Sequence, residues 1–231
     1  MTKEIPDIGV RVSPVSTVEA AANALRELIL DGKLPPGARL REHEYAERLG
    51  IARHSFRAAT QILIGEGLLK REPHRGVEVP VLSAGDVADI FTLRAALEIE
   101  AVRLVGKAGI VPAAAQRAVT EMSNLAEDAP WREVVWPDQR FHQAIIEAAG
   151  SPRLQRAYLG LQSEITLCLA QLEPAYDKPA EVAAEHEELL APIISGDADL
   201  AEKLFRSHLD EAVDKLVGLH NSRADEATEK A

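Results

Sequence analysis

The chain has 231 residues, 46% of them hydrophobic and 27% charged, and a formal net charge of −11 at pH 7. That length allows one large or two small domains with a proper core, and the composition is that of a soluble globular protein. No apolar run approaches the roughly 20 residues that span a bilayer, the opening "MTKEIPDIGVRVSP" lacks the apolar stretch of a signal peptide, and the lone Cys168 cannot form an internal disulfide, so the expectation is a cytoplasmic protein with no membrane partner.

The charge is uneven. Residues 1–80 hold 12 Lys and Arg against 11 Asp and Glu, while residues 81–231 hold 14 against 26. Within residues 36–76 eight basic side chains face five acidic ones. A mildly basic end on an acidic body can meet a polyanion with that end alone. Few aromatics, at 4%, and abundant Ala, Leu and Glu lean the whole towards helix.

Residues 1–14 read as a flexible tail, and 15–81 as the first domain. Within it, "VEAAANALRELILDG" has helical apolar spacing at Val18, Leu25, Leu28 and Ile29, stopped by Gly32. "LPPGARL" is a turn-bearing connector. In "EHEYAERLGIARHSFRAATQILIGEGLL" a short helix ends at Leu49, turns at Gly50, and a second runs to about Ile64. Tyr45, Ala46 and Leu49 can pack on Phe56, Ala59 and Leu63, which makes a helix-turn-helix. "GLLKREPHRGVEVPV" then reads as a β-hairpin, so the arrangement is winged.

In a helix-turn-helix the N-terminal residues of the second helix read bases in the major groove. Here those are Arg53, His54, Ser55 and Arg57. Arginine suits the task because its fork pairs with O6 and N7 of guanine, and Arg53 and Arg57 share a face at i, i+4. The wing tip adds His74, Arg75 and Gly76, and His43 on the first helix completes the candidate DNA-facing set. By spacing alone these could equally be solvated charges on an interaction module.

The stretch from Ile29 to Val79 is similar to the winged helix of GntR-family transcription regulators. It shares the order of a P-G-x-x-L-x-E run, a reading helix with two arginines, "EGL" and R-G-x-x-V. The resemblance covers roughly residues 18–80, puts the two reading arginines on Arg53 and Arg57, and puts the wing glycine on Gly76. Two departures stand out. "ARHS" replaces the usual Ser-Arg-Thr-Pro, leaving Ala52 as a poor N-cap, a loss of about 1 kcal/mol. The glutamate that usually follows the second arginine is Ala58.

From Ser83 strand signals vanish. "SAGDVADIFTLRAALEIEAVRLVGKAG" starts at a Ser cap and runs as one long helix. Further amphipathic stretches cover about 111–126, 130–149, 152–172, 178–195 and 198–220, Ser151-Pro152 is a good helix start, and "NSRADEATEKA" reads as a frayed tail. The expected fold is therefore mainly α: an N-terminal winged helix-turn-helix, then an antiparallel all-α bundle over 82–220, then a flexible tail over 221–231.

Three bundle helices point an imidazole along an apolar stripe: His142 in "DQRFHQAIIEAAG", His186 in "EHEELLAPII" and His208 in "LFRSHLDEAV". Asp138 stands one turn before His142. Buried polar groups need partners. A lone histidine on such a face is usually a satisfied core residue, but three with an aspartate also suit a divalent cation, and facing bundle helices can assemble such a site. Cys168 sits on an apolar stripe and reads as packing.

"DQRFHQAIIEAAGSPRL" with "EHEELLAPIISGDADLAEKLFRSHL" is similar to the FCD domain of FadR-type GntR regulators, over about residues 83–220. The resemblance implies a divalent ion held by Asp138, His142, His186 and His208, zinc first, with nickel or manganese compatible. It also implies a small carboxylate effector, for which Arg94 offers a clamp; the alternative for Arg94 is an ion pair with Glu98. Taken together, the expectation is a homodimeric repressor on a palindromic double-stranded operator, not an enzyme. The rivals are a metal-dependent hydrolase or hydratase using the Asp/His site, for which no general base is evident, and a DNA-binding regulator whose metal is purely structural.

Overall fold

Ser16 accepts the Glu19 N–H and starts α1 (Thr17–Leu30), whose inner face of Ala21, Ala22, Leu25 and Ile29 is buried. The structure, a computed structural model, describes residues 16–72, 76–169 and 178–229. The expected tail 1–14 lies outside them. After α1, β1 (Arg39–Leu40) leads into α2 (Glu42–Arg48) and α3 (Arg53–Gly65). Phe56, Ala59 and Leu63 are fully buried on α3, and the rings of Tyr45 and Phe56 stand 6.3 Å apart across the turn. Helix α1 packs on the back of α3, leaving the other face of α3 open.

The wing is a three-stranded sheet rather than the two-stranded hairpin expected. β2 (Lys70–Glu72) and β3 (Gly76–Glu78) pair antiparallel, and β1 adds to the far edge of β3 in the register Arg39↔Glu78, Leu40↔Val77. Two extended residues inside a Pro- and Gly-bearing connector leave no alternating pattern to read. Their effect is mechanical: β1 ties the start of the α2–α3 unit to the wing.

Ser83 and Asp86 cap each other's backbone N–H groups at the start of α4 (Ala84–Ala108), a complete capping box. Five more helices follow: α5 (Ala113–Ser123), α6 (Trp131–Ala148), α7 (Pro152–Leu169), α8 (Pro179–Ser195) and α9 (Ala198–Glu229). Helix α4 is central, packed against α9, α7 and α6, while α5 joins α6 and α8. Helix α9 runs to Glu229, past position 220 where a frayed tail was expected. "NSRADEATE" holds neither Gly nor Pro to stop it, and Ala, Glu and Arg propagate helix well.

Candidate metal centre and nucleic-acid interface

Helix α6 carries Pro137 inside it, so one backbone bond to the preceding turn is missing. Asp138 and His142 follow, one turn apart, on the face turned to α8 and α9. Both are buried, as is His186 from α8; His208 from α9 is 11% exposed. The three imidazole centroids form a near-regular triangle with sides of 5.3, 5.1 and 5.4 Å. Phe141 sets its ring edge-on to His142 and His186, and Phe205 does the same for His142.

Hydrogen bonds on the far side of two rings fix what they offer to the centre. His186 donates Nδ1–H to the Val182 carbonyl at 2.7 Å, and His142 Nδ1 meets Glu98 Oε2 at 2.7 Å. A carbonyl and an ionised carboxylate only accept, so each neutral ring keeps its proton on Nδ1 and turns a bare Nε2 inward. Those two Nε2 atoms stand 3.3 Å apart. Asp138 Oδ1 lies 3.1 Å from Nε2 of His186, and Asp138 Oδ2 is buried with no hydrogen-bond partner among the described residues.

Three acceptor atoms converging in this way repel unless something positive lies among them. A divalent ion fits. Two imidazole nitrogens bound at about 2.0–2.1 Å with tetrahedral angles stand about 3.3 Å apart, which is the spacing observed. One nitrogen from each of His142, His186 and His208 falls within 4.8 Å of the others. The structure thus brings His142, His186 and His208 to one point from three helices, with Asp138, the fourth residue that the resemblance implied, against His186.

The electrostatics favour the ligand-ready forms. Burial pushes His142 down, against the pull of Glu98, and pushes His208 well below its usual value; both rings are neutral at pH 7. Burial alone would raise Asp138; an Nε2–H on His186, present when that ring carries a second proton in place of the ion, outweighs burial and holds the carboxyl well below the carboxylate range. Glu98 is likewise raised by burial, and Arg94 and then His142 outweigh that to bring it to about 2.

Glu98 is the residue that the sequence reading undervalued. Its Oε1 accepts Nε–H of Arg94 at 2.7 Å, with both side chains buried. Arg94 therefore takes the ion-pair role, with its guanidinium 5.1 Å from the Phe91 ring centre. It also lines a cavity of about 20 Å³ shared with Asp138, His208, Val134 and Trp131. Glu98 is a buried acid beside the imidazoles, but a carboxylate held at about 2 by two partners is a poor proton acceptor.

On the head, Arg53, His54 and Arg57 are exposed on α3, whereas Ser55 is buried. Ser55 falls one position from Phe56 on the inner side of the helix, so its assignment to the exposed reading face is corrected. Ala52 makes no side-chain cap bond. Arg57 Nε donates to Glu42 Oε2 at 2.7 Å, and the hydrogen bond from Arg57, aided by the charges of Arg53 and Arg71, lowers the Glu42 carboxyl. Arg71 was not singled out by the sequence, and Glu42 only as the last residue of the P-G-x-x-L-x-E run; Arg53 and Arg57 of α3 and Arg71 of β2 surround its one carboxylate. His43 is exposed, 3.6 Å from Glu47. Gly76 begins β3 at φ +88°, a left-handed backbone open to glycine. His74 and Arg75 lie outside the described residues.

Two family models match the chain: bacterial regulatory proteins of the gntR family over residues 17–79, and the FCD domain over residues 89–211. The repressor assigned to the D-xylose utilization operon of Paenarthrobacter nicotinovorans is 32% identical, across 84% of this chain and 87% of that one. The gluconate operon transcriptional repressor of Bacillus subtilis is 27% identical, across 90% and 88%. A GntR regulator structure from Rhodococcus sp. RHA1 superposes with a TM-score of 0.76 at 26% identity, over 87% of this chain and 97% of that one. The fold is also that of E. coli McbR/YncC, with a TM-score of 0.71 at 24% identity, over 87% and 97%.

Proposed function

The chain belongs to the gntR family of bacterial regulatory proteins and carries an FCD domain, and from that premise we propose that it is a homodimeric repressor, acting in the cytoplasm, whose hold on a palindromic operator is controlled by a small carboxylate bound at a divalent metal. The coarser part, a DNA-binding transcriptional regulator rather than an enzyme, follows from the family and from relatives named as repressors. The finer part rests on one observation: bare Nε2 atoms of His142 and His186 converge with an orphaned Asp138 oxygen. Zinc is the first choice of ion, with nickel and manganese compatible with the same ligands.

On the DNA side, Arg53, His54 and Arg57 would face base edges, with His43 and the wing residues His74, Arg75 and Gly76 against the backbone. In the bundle, Asp138, His142, His186 and His208 would hold the ion, which supplies a positive centre for an acid group. Arg94, with its Nε held by Glu98, would offer its terminal nitrogens to a second acidic group across the cavity. That cavity, at about 20 Å³, has room for about one water-sized group. A carboxylate of several atoms must therefore bind a more open arrangement of the helices, and such differential affinity is what shifts a population. A relative named for a gluconate operon supports sugar acids as the class to try first.

The test is selection of genomic fragments by zinc-loaded protein, then fluorescence anisotropy on the enriched site with and without gluconate and other small acids. The expected result is one short palindrome bound as a dimer and released by an acid only when metal is present. No enrichment over bulk DNA would overturn the regulator reading. Release that is indifferent to chelation would remove the metal from it.

A further inference from the structure

We infer that Glu98 is a positioning residue for the metal centre: braced by Arg94, its carboxylate holds His142 in the one tautomer and orientation that aim Nε2 at the ion. The inference rests on the metal reading above and extends it to a residue outside the ligand set. It is carried by the geometry of a buried chain of three side chains. Arg94 Nε bonds Glu98 Oε1 at 2.7 Å, and Glu98 Oε2 bonds His142 Nδ1 at 2.7 Å. Arg94 is 1% exposed, and Glu98 and His142 are 0%. Each carboxylate oxygen thus takes a donor at 2.7 Å, the buried Tyr158 hydroxyl also bonds Glu98, and the pair Arg94–Glu98 adds no net charge to the site.

The arrangement is costly to maintain for packing alone. A buried ion pair repays its desolvation only with excellent geometry, and apolar residues of the same volume often do as well. Here the carboxylate does something an apolar residue cannot: it accepts Nδ1–H. Without that acceptor nothing would hold the proton on Nδ1, and the Nε2–H tautomer, a donor, would be presented to the other ligands. His186 has its own lock in the Val182 carbonyl one turn back, so the need for a side chain from α4 is specific to His142. Outer partners of ligating histidines typically change metal affinity 10–100-fold when removed.

The test uses zinc binding and the imidazole nitrogens of the full-length protein. In metal-free wild type, ¹⁵N-edited NMR should find His142 as the Nδ1–H form. Glu98→Gln keeps the shape, but its amide cannot accept from both Arg94 and His142, so zinc affinity should fall about tenfold or more. Should loss of the charge leave Arg94 stranded and unfold the chain, the double variant R94M/E98M removes both charges together. It should fold, show mixed His142 tautomers, and bind zinc 10–100-fold more weakly. A folded double variant with an unchanged tautomer and unchanged zinc affinity would overturn the role of Glu98 while leaving the metal centre standing. A wild type that binds no zinc, nickel or manganese would overturn the centre itself, and this role with it.

Discussion

At the scale of single residues, the head and the bundle use charge in opposite ways. Arg57 sits on an open surface with its Nε on Glu42, which leaves the two terminal nitrogens of the guanidinium to face outward as a planar pair. That fork is what reads guanine bidentately. Lysine keeps the charge but has no fork, so Arg57→Lys should weaken operator binding about ten- to a hundredfold while changing binding to bulk DNA little. Anisotropy on the operator and on a scrambled duplex distinguishes the two; equal losses on both would mean that Arg57 serves only the phosphates. In the bundle, charge is sequestered instead. Asp138 holds one oxygen on His186 and the other on nothing among the described residues. Asp138→Asn should reduce zinc affinity by at least about tenfold, because a carboxylate is replaced by an amide whose NH₂ repels the ion. Calorimetric titration with zinc checks this, and an unchanged affinity would take Asp138 out of the ligand set.

At the scale of elements, the sequence shows most where periodicity and caps agree. The α2–α3 unit was legible because Phe56, Ala59 and Leu63 recur at helical spacing, and α4 because Ser83 opens it; all four do as expected. Two features escaped for physical reasons. β1 has two residues, too few for alternation to register. Arg94 and Glu98 stand at i, i+4, the pattern of an exposed helical ion pair, yet both are buried. Their stripe was the signal: Val87, Phe91, Arg94, Glu98, Val102 and Val105 are all buried and recur every three or four residues, so the pair occupies core positions of α4. The missing cap at Ala52 was visible too, and it gives a prediction for α3. Ser at position 52 would accept the orphan N–H groups of the first turn, worth about 1 kcal/mol, and should raise the melting temperature by about 2–4 °C. No rise would show that the turn before α3 cannot adopt cap geometry with a side-chain oxygen.

At the scale of the whole molecule, α6 borders both the metal centre and a groove against the head. Its inner face carries Asp138 and His142, while Trp136 and Gln139 line a groove whose other wall is Arg26, Leu30 and Glu66 of the head. Nearby, Gly67 of the head lies so close to α7 that an added Cβ would come within 2.4 Å of Glu164 Cγ. The stability of the bundle is tied to protons through the cluster at the metal centre. Glu98 and Asp138 have lowered carboxyl values, and burial lowers His142 and His208. All four bind fewer protons folded than unfolded at a given pH, and stability then rises with pH. The histidine contribution is fully present above their unfolded value of about 6.5 and is lost as pH falls towards the depressed folded values. The carboxylates add a second loss below about 4.5, continuing down towards the value of about 2 at Glu98. Metal-free protein should therefore melt at progressively lower temperature from pH 7 to pH 5. Zinc should raise the melting temperature at pH 7 and steepen its fall on acidification, because protons then compete with the ion for three imidazoles. Thermal melts across that range, with zinc and with chelator, decide the matter: a flat profile in both would mean that these histidines are not neutral ligands held in a dry core.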